Sequence, residues 1–192
     1  MNKLFAVLSI AVFTSSSALA ANDSSNFYIG LDYVHTNFPD IPLASKTDGS
    51  GGYAIQLGYK LPSSSRWTNA FEIEYINAGT VKYNFNEPAL GIKGAGDLEL
   101  TAINLSYKSK FYLGRFFLGG QVGYANVSAS GKTNYTVNGN TTSFDIADKV
   151  DSGLTLGGEI GMLITNQLSV KGGYRIIDSD ADSLYAGLAF NF

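Results

Sequence analysis

The chain has 192 residues, 45% of them apolar, 13% aromatic and only 15% charged, with a formal net charge of −3 and no cysteine. The missing cysteines exclude a disulfide framework, a thiolate metal site, a cysteine nucleophile and a lipid-modified cysteine anchor. A pI near 5.0 without a basic run argues against nucleic acid, and a mean hydropathy of +0.04 excludes a helical membrane protein.

Residues 1–20 read as a cleaved secretory signal peptide. Lys3 supplies a positive start, Leu4 to Phe13 form an apolar core, and Ala18-Leu19-Ala20 puts small residues at the cleavage point. Ten apolar residues fall short of the ~20 that a spanning helix needs. The mature domain is then 21–192, with 12 basic and 16 acidic residues and a formal charge of −4.

Beyond the signal, apolar residues recur with period two, the mark of strands. In chain order the segments are Asn26 to His35, Gly51 to Leu61, Trp67 to Asn77, Leu98 to Ser109, Phe116 to Val127, Val150 to Leu163, Leu168 to Ile177 and Ser183 to Phe192. The fourth breaks its own rule, because Leu98 and Leu100 fall on the opposite parity from Ile103, Leu105 and Tyr107. Short connections (Pro62 to Arg66, Lys110 to Arg115, Ile164 to Gln167) alternate with long ones (Thr36 to Ser50, Ala78 to Asp97, Ser128 to Lys149), Asp178 to Asp182 being the short exception. Such alternation predicts an all-β, eight-stranded antiparallel up-and-down barrel, with turns on one rim and loops on the other.

The facing decides between a soluble and a transmembrane barrel. Charge falls on the same parity as Gly and Ala, as at Gly30, Ala54, Gly58, Gly119, Gly123, Gly157, Gly161 and Gly187, while large uncharged groups take the other parity. A crowded polar interior and a lipid-facing exterior need that arrangement. The 22 glycines, about 11% against a usual ~7%, suit such an interior. Phe27, Tyr59, Trp67, Tyr107 and Phe116 form one aromatic belt at the short-turn end, and Tyr33, Tyr53, Tyr75, Tyr124 and Tyr174 form another at the long-loop end. The implied separation is roughly 15 to 21 Å, close to the ~25 Å apolar band of outer-membrane barrels.

The chain ends Tyr185-Ala186-Gly187-Leu188-Ala189-Phe190-Asn191-Phe192. With Tyr185, Gly187, Phe190 and the terminal Phe192 so spaced, it resembles the C-terminal assembly signal of bacterial outer-membrane barrels. The whole mature chain resembles the small eight-stranded outer-membrane β-barrel superfamily, which is OmpX- and Ail-like and similar to the OmpA transmembrane domain. The resemblance implies a location in a Gram-negative-type outer membrane, insertion by the barrel assembly machinery, surroundings of outer-membrane lipid and lipopolysaccharide, and no cofactor.

Inward parity collects Asp32, Glu72, Glu74 and Glu159 with Lys60, Lys108, Lys171 and Arg175, four acids against four bases. Counting from the turn at Asn166, Glu159 falls between Lys171 and Arg175 on the next strand, and an ion pair there would limit the desolvation cost. An eight-stranded lumen is just wide enough for side chains to fill, which favours a polar plug over an ion or proton path. Neither a catalytic nor a metal site is expected. His35, the only histidine, lacks the partners of a lipid-modifying hydrolase. Asp178-Ser179-Asp180-Ala181-Asp182 opens like a calcium loop but puts Ser183 where Gly is required and Ala189 where the bidentate Glu belongs. Apolar residues in the long loops, among them Phe38, Tyr83, Phe85, Tyr135 and Phe144, either pack loop on loop or meet an extracellular ligand. The expectation is therefore a monomeric, non-enzymatic barrel with a structural or surface-interaction role. A narrow channel for ions or small apolar solutes and a lipid-modifying hydrolase are the alternatives.

Overall fold

A computed structural model describes residues 26–37, 46–47, 50–63, 66–87, 92–137, 140–177 and 181–192. The segment 1–20 and residues 178–180 lie outside them. The strands are β1 (Phe27–Asn37), β2 (Lys46–Thr47), β3 (Ser50–Lys60), β4 (Trp67–Glu87), β5 (Ile92–Leu113), β6 (Phe116–Val137), β7 (Asn140–Leu163), β8 (Leu168–Ile177) and β9 (Ala181–Asn191). The eight long ones pair antiparallel in the ring β4-β3-β1-β9-β8-β7-β6-β5, which a β4–β5 pairing closes. β1 and β9 form the seam, from Tyr28↔Asn191 to Asn37↔Asp182. Closure leaves no backbone edge in the ring, the condition for a sheet in hydrocarbon.

The faces are inverted relative to a soluble protein. Leu31, Leu57, Ile73, Leu105, Leu156 and Ile160 are exposed, whereas Asp32, Glu74, Asn104, Thr155, Lys171 and Arg175 are buried. Leu57 is 51% exposed and its neighbour Gln56 1%, as the two-residue period dictates. Both belts stand outside, and the register aligns Phe27, Tyr59, Phe71 and Tyr107 in one row around the wall. In that row the rings of Phe27 and Tyr59 meet at 5.0 Å and those of Phe71 and Tyr107 at 5.6 Å.

Glycine makes room for large inward groups on the next strand. A Cβ at Gly58 would strike the ring of Tyr28, its register partner, and one at Gly187 would strike Asp32. The excess of glycine is thus the space that a small lumen gives to its charged and aromatic side chains.

Four strands run past their expected ends, three of them by ten residues and β5 by six. β4 continues from Asn77 to Glu87, β5 starts at Ile92, β6 reaches Val137 and β7 starts at Asn140. The expected loops Ala78 to Asp97 and Ser128 to Lys149 are therefore mainly paired strand, and together they form a four-stranded arm above the ring. The two-residue β2 pairs with Tyr83 and Asn84 on its β4 edge. A bulge at Asn77/Gly79 hid the continuation. It moves the inward parity from Ile76 and Ala78 to Val81 and Tyr83, so the alternation changes phase there. Gly79 is required there because its φ is +83° and a Cβ would meet the backbone of Gly51. At the other rim Lys110 belongs to β5, and the turn narrows to Gly114-Arg115.

Candidate functional site

The eight ionisable residues expected inside do face the lumen, seven of them buried and Lys60 half-buried at the short-turn rim. Side chains from seven strands build two tiers. In the tier toward the long-loop end, Lys171 Nζ lies 3.0 Å from Asp32 Oδ2, and Arg175 pairs with Glu74 from the far wall. Gln56 joins these pairs, since its amide donates to Asp32 and, at 2.7 Å, to Glu74, while its carbonyl accepts from Lys171. Thr155 Oγ1 donates to Asn104 Oδ1 at 3.0 Å, and Asn104 in turn donates to Glu74.

In the second tier, Lys108 Nζ lies 2.8 Å from Glu72 and 3.5 Å from Glu159, and Lys110 Nζ lies 2.6 Å from Glu159. Tyr28 donates its hydroxyl proton to Glu72 at 2.6 Å, and Tyr185 donates to Glu159 at 3.1 Å. The Tyr185 ring carries the Arg175 guanidinium at 4.7 Å and the Lys171 ammonium at 5.4 Å, which couples the tiers. Every luminal carboxylate thus has a cation and a further donor, the condition under which buried charge is tolerated.

The expected pairing of Glu159 with Lys171 and Arg175 is corrected. Glu159 does sit opposite Gly173, between those two bases. Its ion pairs nevertheless go to Lys108 and Lys110 on β5, two strands away. Long side chains in a narrow lumen reach across it, so adjacency along the wall does not fix the partner. Sequence reasoning also missed Tyr28, Gln56, Asn104, Lys110 and Thr155. Parity alone marks Lys110, two residues beyond Lys108, and Tyr28, four before Asp32.

An apolar layer covers the network toward the long-loop end. Val34, Ala54, Ile76, Ala102, Ala125, Ile177 and the ring of Tyr185 form one buried cluster, with Val127 packed against it. Leu100 lines a small cavity beside Ile76 and Val127. The odd parity of Leu98 and Leu100 therefore reflects an inward apolar cap where the band ends. His35 is exposed on the outward parity of Leu31 and Tyr33, opposite Gly51 and Leu184. No carboxylate or serine among the described residues orients it. In the C-terminal octapeptide, Tyr185 and Ala189 are buried in the lumen, Gly187 shares their parity, and Phe190 faces outward with its ring 5.4 Å from that of Phe192.

A family model described as outer membrane protein beta-barrel domain matches residues 5–192. Among solved structures, Neisserial surface protein A is similar with a TM-score of 0.53 and 18% identity, over 88% of this chain and 98% of that one. Ail, the attachment invasion locus protein of Yersinia pestis, gives 0.46 and 15% identity over 86% of this chain and 96% of its own. OprG of Pseudomonas aeruginosa gives 0.48 and 11% identity over 88% and 96%. No curated protein matches the chain.

Proposed function

The chain belongs to the outer membrane protein β-barrel domain family and resides in the outer membrane, and from that premise we propose a non-enzymatic structural and surface-interaction protein. The observation that carries this is the filled lumen: paired charges held from seven strands lie beneath an apolar layer. A plugged interior leaves the outer surface to act. Both termini and the short turns face the periplasm, residues 1–20 are removed on export, and the arm of β4 to β7 stands outside the cell as a monomer's contact surface. Tyr135 and Phe144 are exposed on it. Lipopolysaccharide surrounds the barrel, and the partner is a ligand on another cell or surface.

The test trims the arm without disturbing the ring. Val81 pairs with Leu98 and Gly131 with Ile146, so residues 82–97 and 132–145 are each replaced by an Asn-Gly turn. Cells displaying the trimmed barrel should lose adhesion at equal outer-membrane abundance. Unchanged adhesion overturns the surface role, and stepwise conductance of the purified protein in a planar bilayer would favour a channel instead.

A further inference from the structure

We propose that the short-turn mouth of the barrel is an oxyanion-binding site of phosphate type, built on Lys60, Lys108 and Lys110. A cavity opens there whose charged lining, among the described residues, is these three lysines. The register spaces them. Ala70 pairs with Lys60 on one side and Lys108 on the other, and Thr68 pairs with Lys110. The small, buried side chain of Ala70 leaves the space between the two lysine stems open.

Charge accounting selects the ligand's sign. The four luminal carboxylates are taken up by Lys108, Lys110, Lys171 and Arg175. Lys60 is a fifth base, half-buried and without an ion pair among the described residues. A partly desolvated ammonium with no counter-charge favours an anion beside it. Lys108 is buried and held by Glu72 and Glu159, so it forms the floor. Lys110, 12% exposed at its side chain, forms a flank fixed by Glu159 and by the Phe117 ring at 4.7 Å. Neutral donors complete the cup. Tyr112 lines it with a hydroxyl that makes no hydrogen bond among the described residues, and Ser169 and Asn191, which also donate to the Ala189 and Gln167 carbonyls, line the opposite side. Ammonium groups and hydroxyls converging from several strands suit a compact oxyanion with acceptors on several sides. A free phosphate and the phosphate of a lipid headgroup share that chemistry, and the site itself does not depend on which compartment the mouth faces.

The experiment uses the refolded 21–192 chain in zwitterionic micelles at constant ionic strength, titrated with inorganic phosphate and followed by amide NMR. Saturable shifts are expected at Thr68, Ser169 and Asn191. Lys60→Gln should weaken binding about tenfold, the scale of one charge-assisted contact, whereas Lys60→Arg and the arm variant Lys82→Gln should retain it. Heat-modifiable migration on a gel confirms that each variant is folded. A second arm compares phosphatidylcholine nanodiscs with and without phosphatidic acid. Shifts at the same residues from lipid alone make the headgroup the ligand, and from phosphate alone a soluble anion. Linear, non-saturating shifts, no response to either source, or wild-type affinity in folded Lys60→Gln would overturn the site.

Discussion

Arg175 on β8 and Glu74 on β4 form an ion pair from opposite walls, four strands apart in either direction around the ring. Both side chains are at most 1% exposed. The contact ties the seam half of the barrel to the half that carries the arm. Because Gln56 and Asn104 also bond Glu74, the carboxylate is held from three strands besides its own.

Glu74→Gln strands a buried guanidinium and should cost about 3 to 5 kcal/mol, the usual penalty for breaking a buried pair from one side. Glu74→Met with Arg175→Met removes both charges and should cost less than the single change. Urea unfolding in micelles, read by the fluorescence of the single tryptophan, Trp67, measures both. A double variant less stable than Glu74→Gln would show that the pair is a net source of stability.

How much of this was legible follows from what each part of the chain touches. Within the band one face meets lipid, so Leu57, Ile73 and Leu105 had to alternate with Gln56, Glu72 and Asn104, and the strands and their facing could be read directly. In the arm the alternation persists, with Val81 and Tyr83 buried between exposed Lys82 and Asn84, but the extra residue before Gly79 shifts its parity, so it runs out of phase with the strand below. The lumen falls between these cases. Parity places Glu159 and Lys171 inside, but partners such as Lys110 depend on side chains that cross the interior, a distance that no spacing along the sequence encodes.

Facing makes a second prediction. Leu57→Arg puts a charge into lipid between the Tyr53 and Tyr59 positions and should cost about 2 to 4 kcal/mol. Gln121 is luminal, sits opposite Lys108 in the register, and makes no hydrogen bond through either amide atom. Gln121→Met, which removes a buried amide that bonds nothing, should therefore be nearly neutral or stabilising in the same unfolding titration. Equal losses would contradict the lipid-facing assignment of Leu57.

Gly58 and Tyr28 should show strong coupling. A side chain at Gly58 displaces the Tyr28 ring, which breaks the hydroxyl bond to Glu72. Gly58→Val should cost about 1 to 3 kcal/mol, the usual range for overpacking. In a Tyr28→Ser background, where the space is already free, the same change should cost much less. Additive effects in this double-mutant cycle would mean that the ring does not need the glycine.

Sidedness can be read with single cysteines, since the chain has none of its own. Ser143 is exposed on the arm and Asn166 in the β7–β8 turn. Ser143→Cys should react with a membrane-impermeant maleimide on intact cells, and Asn166→Cys only after the outer membrane is permeabilised. The opposite pattern inverts the proposed topology.

Phe192 lies at the seam, where its backbone N–H donates to the carbonyl of Phe27 at 3.2 Å and its ring packs edge-on against Phe190 at 5.4 Å. The β1–β9 ladder begins one residue earlier, at Tyr28↔Asn191, and runs ten pairs to Asn37↔Asp182. Removing the terminal residue leaves that ladder intact and deletes one ring, about 1.5 to 3 kcal/mol of apolar burial. The folded barrel should tolerate this, because closure and not the last ring satisfies the backbone in hydrocarbon. Recognition during insertion, as the resemblance implies it, would be a separate demand made on the terminal residues before any ladder exists. Deletion of Phe192 should therefore lower outer-membrane yield strongly in cells, while the purified variant still refolds in detergent to a heat-modifiable β-rich form. Normal yield in cells would remove the terminal residue from the assembly signal, and failure to refold would place its contribution in the seam itself.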